Sequence, residues 1–223
     1  MPKNHRSFSE VDSTVSKACR GVDLPPGLDE EIGRAAKAIC RTTGDHLSAF
    51  ADALEDYDKG ASGAPNIDRA AQGLFQAMQK GQHLSALLAG PAAVDLLLAD
   101  AVPNIRLEDM DQPLVLLGIM LQVSAFRDDR LDLLSDRTQS LNPLASCQTG
   151  QILVWPQSFP SGDLILKKSA DDPELAAVQP GMEGIEIDDE TWRRLTTLAN
   201  RMLVEASDAS RMAGAGAGLL DND

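Results

Sequence analysis

The opening of the chain, residues 7–33, reads SFSEVDSTVSKACRGVDLPPGLDEEIG and predicts two consecutive helices. Ser7 followed three residues later by Glu10 has the spacing of a capping box, in which each side chain bonds the backbone N–H of the other residue. Apolar residues then recur at helical spacing up to Gly21, and glycine commonly ends helices. After a Pro-Pro-Gly connector, a second amphipathic helix is expected over Leu28–Cys40. The fold therefore begins with a helical pair.

The rest of the first 105 residues continues the helical pattern. A third helix is expected after Gly44-Asp45, where apolar residues again recur at helical spacing. Asn66 is a capping residue in front of a fourth apolar series that runs to Met78. Pro91 predicts the start of a fifth helix, because proline suits the first helical turn. We therefore expect residues 1–105 to be entirely helical.

The middle of the chain, residues 106–188, predicts mostly strands. Pro113–Phe126 is a long apolar run with β-branched residues, and we interpret it as a strand. Residues 128–141 would be its hairpin partner, with a turn at 127–130. Three shorter strands bounded by proline and glycine are predicted at 151–155, 163–168 and 184–188.

The last part, residues 189–223, predicts one helix and an ordered glycine-rich tail. Asp188 would cap the helix, which continues to about Leu203 with Met202 among its inward-facing residues. Helices first, strands next and one helix last predict an α+β fold. We expect one domain over residues 1–223, with helices covering one face of an antiparallel sheet.

Charge and composition exclude several classes of protein. The net charge is −14 and aromatic residues make up only 4% of the chain. Such a chain repels nucleic-acid phosphates and anionic membranes, and it has few rings for base stacking. The longest apolar run, 114–123, is too short to span a bilayer, and residues 1–6 lack the apolar core of a signal peptide. We therefore expect a cytoplasmic protein with no nucleic-acid or membrane partner.

The cysteines and histidines predict no metal centre. Cys19, Cys40 and Cys147 are an odd number at unrelated spacing, so we expect them to be reduced and buried. A nucleophilic role for Cys147, which lies in a loop-like run, is the alternative. The three histidines lack zinc-ligand spacing, and neither a Rossmann nor a Walker pattern is present. The identity of any cofactor is left open.

The first candidate site lies in the opening helical pair. Lys17 and Arg20 share a face near the end of the first helix, where basic residues also favour the helix dipole. In the functional interpretation, Arg20 binds a carboxylate or phosphate through its planar guanidinium. Glu30 or Glu31, in the first turn of the next helix, would then be the catalytic base, with helix capping as the alternative. Gly33 indicates close approach by another helix or by a ligand.

The second candidate site is the glycine-rich ending. The residues expected to contact a ligand there are Ser207, Ser210, Arg211, Gly214, Gly216 and Gly218. Successive glycines allow backbone N–H groups to form an anion-binding nest, and Arg211 stands directly before them. Asp221 and Asp223 supply oxygens of the kind that bind Mg²⁺ or Ca²⁺, but this signal alone does not predict a metal site. A flexible tail is the alternative.

Both candidate segments resemble the two ends of a bacterial protein family of unknown function. The similar stretches are Ser7-Phe-Ser-Glu10, Lys17-Ala-Cys-Arg20-Gly21, Gly27-Leu-Asp-Glu30-Glu31, Ser207-Asp-Ala-Ser210-Arg211, Gly214-Ala-Gly-Ala-Gly218 and Asp221-Asn222-Asp223. The resemblance covers the full length and implies that both ends belong to one unit, but it implies no reaction. This chain departs from the family pattern at Pro26, Asp29 and Glu205, where the family has an aromatic residue, a small residue and a proline.

Three functions are compatible with these patterns. The first is a small-molecule enzyme or binding protein that acts on a carboxylate-bearing metabolite, with Arg20 and Arg211 as anion anchors. The second is a non-catalytic accessory or assembly subunit whose acidic surface and tail dock on a protein partner. The third is a homodimer in which both motifs are structural. The sequence leaves open whether the protein is an enzyme.

Overall fold

A computed structural model describes residues 3–43, 45–136, 143–154, 162–169 and 184–202, which form an α+β fold. The helices are α1 (Phe8–Gly21), α2 (Leu28–Thr43), α3 (Leu47–Asp58), α4 (Ile67–Ala70), α5 (Ala86–Leu98), α6 (Pro113–Ser124) and α7 (Asp189–Asn200). The strands are β1 (Lys3–Arg6), β2 (Ser62–Gly63), β3 (Leu74–Phe75), β4 (His83–Leu84), β5 (Asn104–Leu107), β6 (Arg130–Ser135), β7 (Ala145–Gln148), β8 (Gln151–Val154), β9 (Leu164–Ser169) and β10 (Ile185–Asp188).

The opening pair, α1 and α2, forms as the sequence predicts. Ser7 and Glu10 make both bonds of the capping box at the start of α1. The two helices pack closely, and Gly33 is required at their contact, because a Cβ there would lie 2.8 Å from the carbonyl oxygen of Asp12. Gly33 therefore marks close approach by another helix, one of the two alternatives that the sequence allows.

The prediction of a strand over Pro113–Phe126 is wrong, because residues Pro113–Ser124 form helix α6. The consecutive residues 115–121 are all buried, since α6 lies among α2, α3, α5 and the sheet. A helix that is buried on every side is apolar all round and loses the 3.6-residue period that would identify it from sequence. Its close contact with α2 depends on Gly118, where a Cβ would lie 2.9 Å from the carbonyl oxygen of Ala35.

The main sheet has six strands in the order β3-β5-β9-β6-β7-β8. Its pairs are antiparallel except for β3 with β5, which are parallel. The strands predicted over 151–155 and 163–168 are confirmed as β8 and β9. β6 lies within the predicted partner segment 128–141, but it pairs with β7 and β9, so the predicted hairpin with Pro113–Phe126 does not exist.

Short strands interrupt the region that the sequence predicts to be entirely helical. β1 pairs with β10, so the start of the chain is bonded to the segment that precedes α7. Asn66 caps a helix as expected, but that helix ends at Ala70 and the chain continues into β3. Pro91 lies inside α5, which begins at Ala86. The missed strands share one cause, since strands of two to four residues are too short to show a period.

The core is one apolar cluster between the helices and the sheet, and it includes all three cysteines. Asp188 caps α7 by accepting a bond from the N–H of Thr191, as predicted. Met202 is 41% exposed, so its predicted inward orientation is wrong. It follows the end of α7, where the helical period no longer fixes its direction. Within the described ranges, no helix combines the length and apolar character needed to cross a membrane.

Candidate functional site

Arg20, the first predicted anion anchor, is already bound by Asp29 of α2 through an ion pair and a hydrogen bond. Asp29 is nearly buried and also accepts a bond from the N–H of Gly27 at 3.0 Å. Burial alone would raise the pKa of Asp29, but the hydrogen bonds from Arg20 and Gly27 outweigh it and hold the pKa below its usual value. In this structure the pair therefore connects the end of α1 to the start of α2.

Glu30 and Glu31, the predicted bases, lie beside different neighbours. Glu30 is exposed and forms an ion pair with Arg34 one turn further along α2, at 3.5 Å. Glu31 is half-buried, and burial together with the negative charge of Asp95 raises its pKa. Neither carboxylate makes an ion pair with Arg20 in the described part of the chain. A catalytic role for Glu30 and Glu31 therefore stays a prediction.

The predicted ligand residues of the tail lie outside the described residues, which end at Met202. They are Ser207, Ser210, Arg211, Gly214, Gly216 and Gly218, together with the carboxylates of Asp221 and Asp223. Their contribution to a site stays a prediction.

The structure places three other cations together in a cleft between α2, the end of α6 and the turn joining β7 to β8. Its volume is about 360 Å³. Arg34, Lys37 and Arg41 line it from α2, and their spacing of three and four residues puts them on one helix face. We call this site the cationic cleft. Its other lining residues are Ala38, Thr42, Leu121, Gln122, Ala125, Phe126, Thr149, Gly150 and Gln151.

The three cations differ in how far neighbouring groups already neutralise them. Arg34 pairs with Glu30 and Lys37 pairs with Asp12, each at 3.5 Å and each partly exposed to solvent. Exposed pairs of this kind contribute little, so an incoming anion can compete for the cations. Arg41 has no carboxylate within ion-pair distance among the described residues, and its guanidinium lies 5.9 Å from the centre of the Phe8 ring. Arg41 is therefore the cation best placed to receive an anion.

Gln122 of α6 contacts Arg34 across the cleft. With its amide oriented to satisfy both neighbours, the nitrogen of Gln122 donates to the carbonyl oxygen of Glu31 at 2.9 Å. The amide oxygen accepts from Nε of Arg34 at 3.2 Å. One helix of the cleft thus orients a cation carried by the other, which reduces the conformational entropy that Arg34 loses on binding.

The wall of the cleft opposite α2 carries apolar side chains. Leu121 and Ala125 face it from the end of α6, and Phe126 at its rim is 84% exposed. The β7–β8 turn closes the cleft through Gly150, whose N–H donates to Oγ of Ser124 at 3.2 Å. Gly150 has a φ of +71°, and a Cβ there would lie 2.9 Å from that of Ala125, so this turn requires glycine.

Other reactive groups give less support to a site. Cys147 is fully buried and burial raises the pKa of its thiol, so the alternative of a nucleophilic Cys147 is not supported. Burial likewise raises the pKa of Cys40 to about 12. His83 and Asp109 form a hydrogen-bonded pair at 2.9 Å on the surface. No cluster of three or more metal-binding side chains occurs among the residues that the structure describes.

No protein-family model, curated protein or solved structure matches the chain. The support for the cationic cleft therefore comes from its geometry. One signal for it was present in the sequence, namely basic residues at 34, 37 and 41 on one helix face. The second wall of the cleft could not be predicted, because the sequence of α6 predicts a strand.

Proposed function

We propose that this protein binds a small carboxylate-bearing molecule in the cationic cleft. The observation that carries the proposal is Arg41, a cation with no carboxylate partner among the described residues, beside Lys37 in a chain whose net charge is −14. A guanidinium binds a carboxylate through two parallel hydrogen bonds, so Arg41 would anchor the head of the ligand. Lys37 would add a second charge one turn away.

The apolar wall supports a small organic ligand rather than an inorganic ion. Ligand sites combine apolar surface with a few well-placed polar groups, and the cleft volume of about 360 Å³ lies in their usual range. Leu121, Ala125 and Phe126 would cover the carbon skeleton while Arg41 binds the head. Large polyanions are disfavoured, because the acidic surface outside the cleft would repel them.

Binding has more support than acid–base catalysis. The described residues that line the cleft are basic, amide, hydroxyl or apolar, and none is a carboxylate or a histidine. Glu30 lies near the cleft, but its carboxylate is paired with Arg34 in an exposed ion pair, where an incoming anion would compete with it. A catalytic role for Glu30 and Glu31 would need further groups from outside the described residues.

The test measures hexanoate and benzoate binding by calorimetry to the full chain and two variants. Arg41→Gln removes the proposed anchor, and Arg193→Gln makes the same charge change on α7, where Arg193 is exposed and paired with Glu190. Hydrogen bonds to charged groups contribute about 1.5–3 kcal/mol, so Arg41→Gln should weaken binding roughly 10- to 100-fold. Arg193→Gln should change it less than about twofold, because Arg193 does not line the cleft and its exposed charge is screened by salt. Equal affinity in Arg41→Gln and the unaltered chain contradicts the site, and absence of binding by the unaltered chain contradicts the function.

A further inference from the structure

We infer that the ligand of the cationic cleft carries two carboxylates, one at each end of an apolar chain. The inference rests on the proposed function and narrows its ligand to a class, the straight-chain α,ω-dicarboxylates. It follows from the order in which the cleft presents charge, apolar surface and charge along its length.

The two arginines that line the cleft are separated along α2. Arg34 and Arg41 are seven residues apart on α2, which places their Cα atoms about 10 Å apart along the helix axis. Seven residues are nearly two full turns, so both side chains project from the same face. A single carboxylate is much shorter than this separation, whereas a chain with a carboxylate at each end can contact both guanidinium groups.

Contacts with other residues keep the cationic heads apart. Arg34 is held by Glu30, which lies one turn towards the start of α2 and therefore away from Arg41. At the other end, Arg41 lies beside Phe8, and Lys37 pairs with Asp12 one turn along α1. The heads of Lys37 and Arg41 thus contact successive turns of the neighbouring helix. This arrangement favours an extended ligand over a compact dianion that would need all three heads to converge.

The surface between the two arginines is apolar. Ala38 lies between Arg34 and Arg41 on α2, and Leu121 and Ala125 lie opposite, one turn apart on the end of α6. A chain of methylene groups would be covered on both sides here, and each buried methylene contributes about 0.8 kcal/mol to transfer from water. Because arginine side chains are long and adjustable, the fitting diacids are those of about five to eight carbons, whose extended length is comparable with the rise between the arginines.

The experiment titrates the full chain with straight-chain dicarboxylates of four to ten carbons, and with monocarboxylates of the same carbon numbers, by calorimetry. Inorganic phosphate and succinate serve as compact dianions. We expect the affinity to peak at an intermediate length. The best dicarboxylate should bind at least tenfold more tightly than the monocarboxylate of equal length.

Arg34→Gln identifies the second contact. This variant should abolish the difference between dicarboxylates and monocarboxylates, because only the second carboxylate of a two-headed ligand contacts Arg34. Arg34 is exposed, so an unchanged melting temperature would show that the fold is intact.

The outcomes separate this inference from the proposed function. Monocarboxylates that bind through Arg41 as tightly as any dicarboxylate overturn the two-headed ligand and leave the proposed function standing. Tightest binding by phosphate or succinate, or affinity that rises with chain length without a maximum, also overturns it. Failure of every carboxylate to bind overturns both proposals.

Discussion

Two arginines of the opening helical pair, Arg20 and Arg41, are used in different ways. The guanidinium of Arg20 is bound by the nearly buried Asp29. Arg41 lies beside the Phe8 ring and faces an open cleft, without a carboxylate partner among the described residues. The two side chains have the same chemistry, so the difference lies in their neighbours. A ligand carboxylate therefore gains little binding free energy from a cation that the fold has already neutralised. It gains more from a cation that has not been neutralised.

The same contrast holds for the carboxylates of α2. Asp29 is buried by the packing of α1 on α2 and receives its hydrogen bonds from within the protein. Glu30, the next residue, is exposed and makes only the weak pair with Arg34. Adjacent acids in one helical turn thus differ because one faces the neighbouring helix and the other faces solvent. A substitution in the packing between the helices tests how this contrast arises. Substitutions of Asp29, Arg20 and Glu30 then test the contrast itself.

The largest effect is expected from closing the space between α2 and α6 with Gly118→Val. The first atom of the new side chain would lie 2.9 Å from the carbonyl oxygen of Ala35 and 3.3 Å from the Phe50 ring. Overpacking of this kind costs about 3 kcal/mol, and it would move the helices that form the cleft. Chemical denaturation should show the loss. Ala92→Val on the exposed face of α5 is the control and should cost less than about 1 kcal/mol. Equal stability of the two variants would contradict the close helix contact.

A smaller loss is expected from Asp29→Asn, which removes the partner of Arg20. The bond joins charged groups, but Arg20 is half-exposed, so we expect a loss of about 1–2 kcal/mol at neutral pH. The pKa of Asp29 is lowered in the folded protein from its usual value of 3.8. The pair with Arg20 therefore stabilises the fold fully at pH values above 3.8, and this stabilisation is lost as the pH falls through the lowered pKa. Urea unfolding from pH 7 to pH 2 should therefore show the gap between the two proteins closing at acid pH.

Arg20→Gln is the companion to that measurement. It should cause a comparable loss of stability and leave carboxylate binding unchanged, because Arg20 does not line the cationic cleft. Loss of carboxylate binding without loss of stability would instead support the site that the sequence predicts, with Arg20 as its anchor.

The smallest effect is expected from Glu30→Gln. The ion pair with Arg34 is exposed, so stability should change by less than about 0.5 kcal/mol. Dicarboxylate affinity should rise about two- to threefold, because a competing negative charge leaves the cleft entrance. Glu190→Gln on α7 is the matched control, since Glu190 holds Arg193 in a similar exposed pair. Weaker dicarboxylate binding in Glu30→Gln would mean that Glu30 positions Arg34 rather than competing with the ligand.

Local patterns predicted the elements whose signals lie within a few residues. The caps at Ser7, Asn66 and Asp188 are all present, because a capping side chain bonds backbone only three residues away. α1, α2 and α7 were predicted for a related reason, since each has one face towards the core and one towards solvent. The burial of Cys19 and Cys40 followed from their positions on the apolar stripes of predicted helices.

The prediction failed where neighbours distant in sequence decide the structure. α6 is covered on every side, so its sequence has no polar face to reveal a helix. The two-residue strands β2, β3 and β4 depend on partners elsewhere in the chain and carry no period of their own. The sequence also did not reveal the ion pair between Arg20 and Asp29, because nothing in the helix of Arg20 shows that Asp29 binds it.

The sequence by itself determined the opening helical pair, the capped final helix, the α+β class and the basic face of α2, because each depends on residues within one or two turns. The tertiary structure alone decided which cations remain available. In the folded protein Asp29 is buried and paired with Arg20, and Pro113–Ser124 form a helix. That helix lines the same cleft as Arg34 and Arg41. The physical reason is that burial and charge neutralisation depend on what lies nearby in space, and the sequence order does not contain that information.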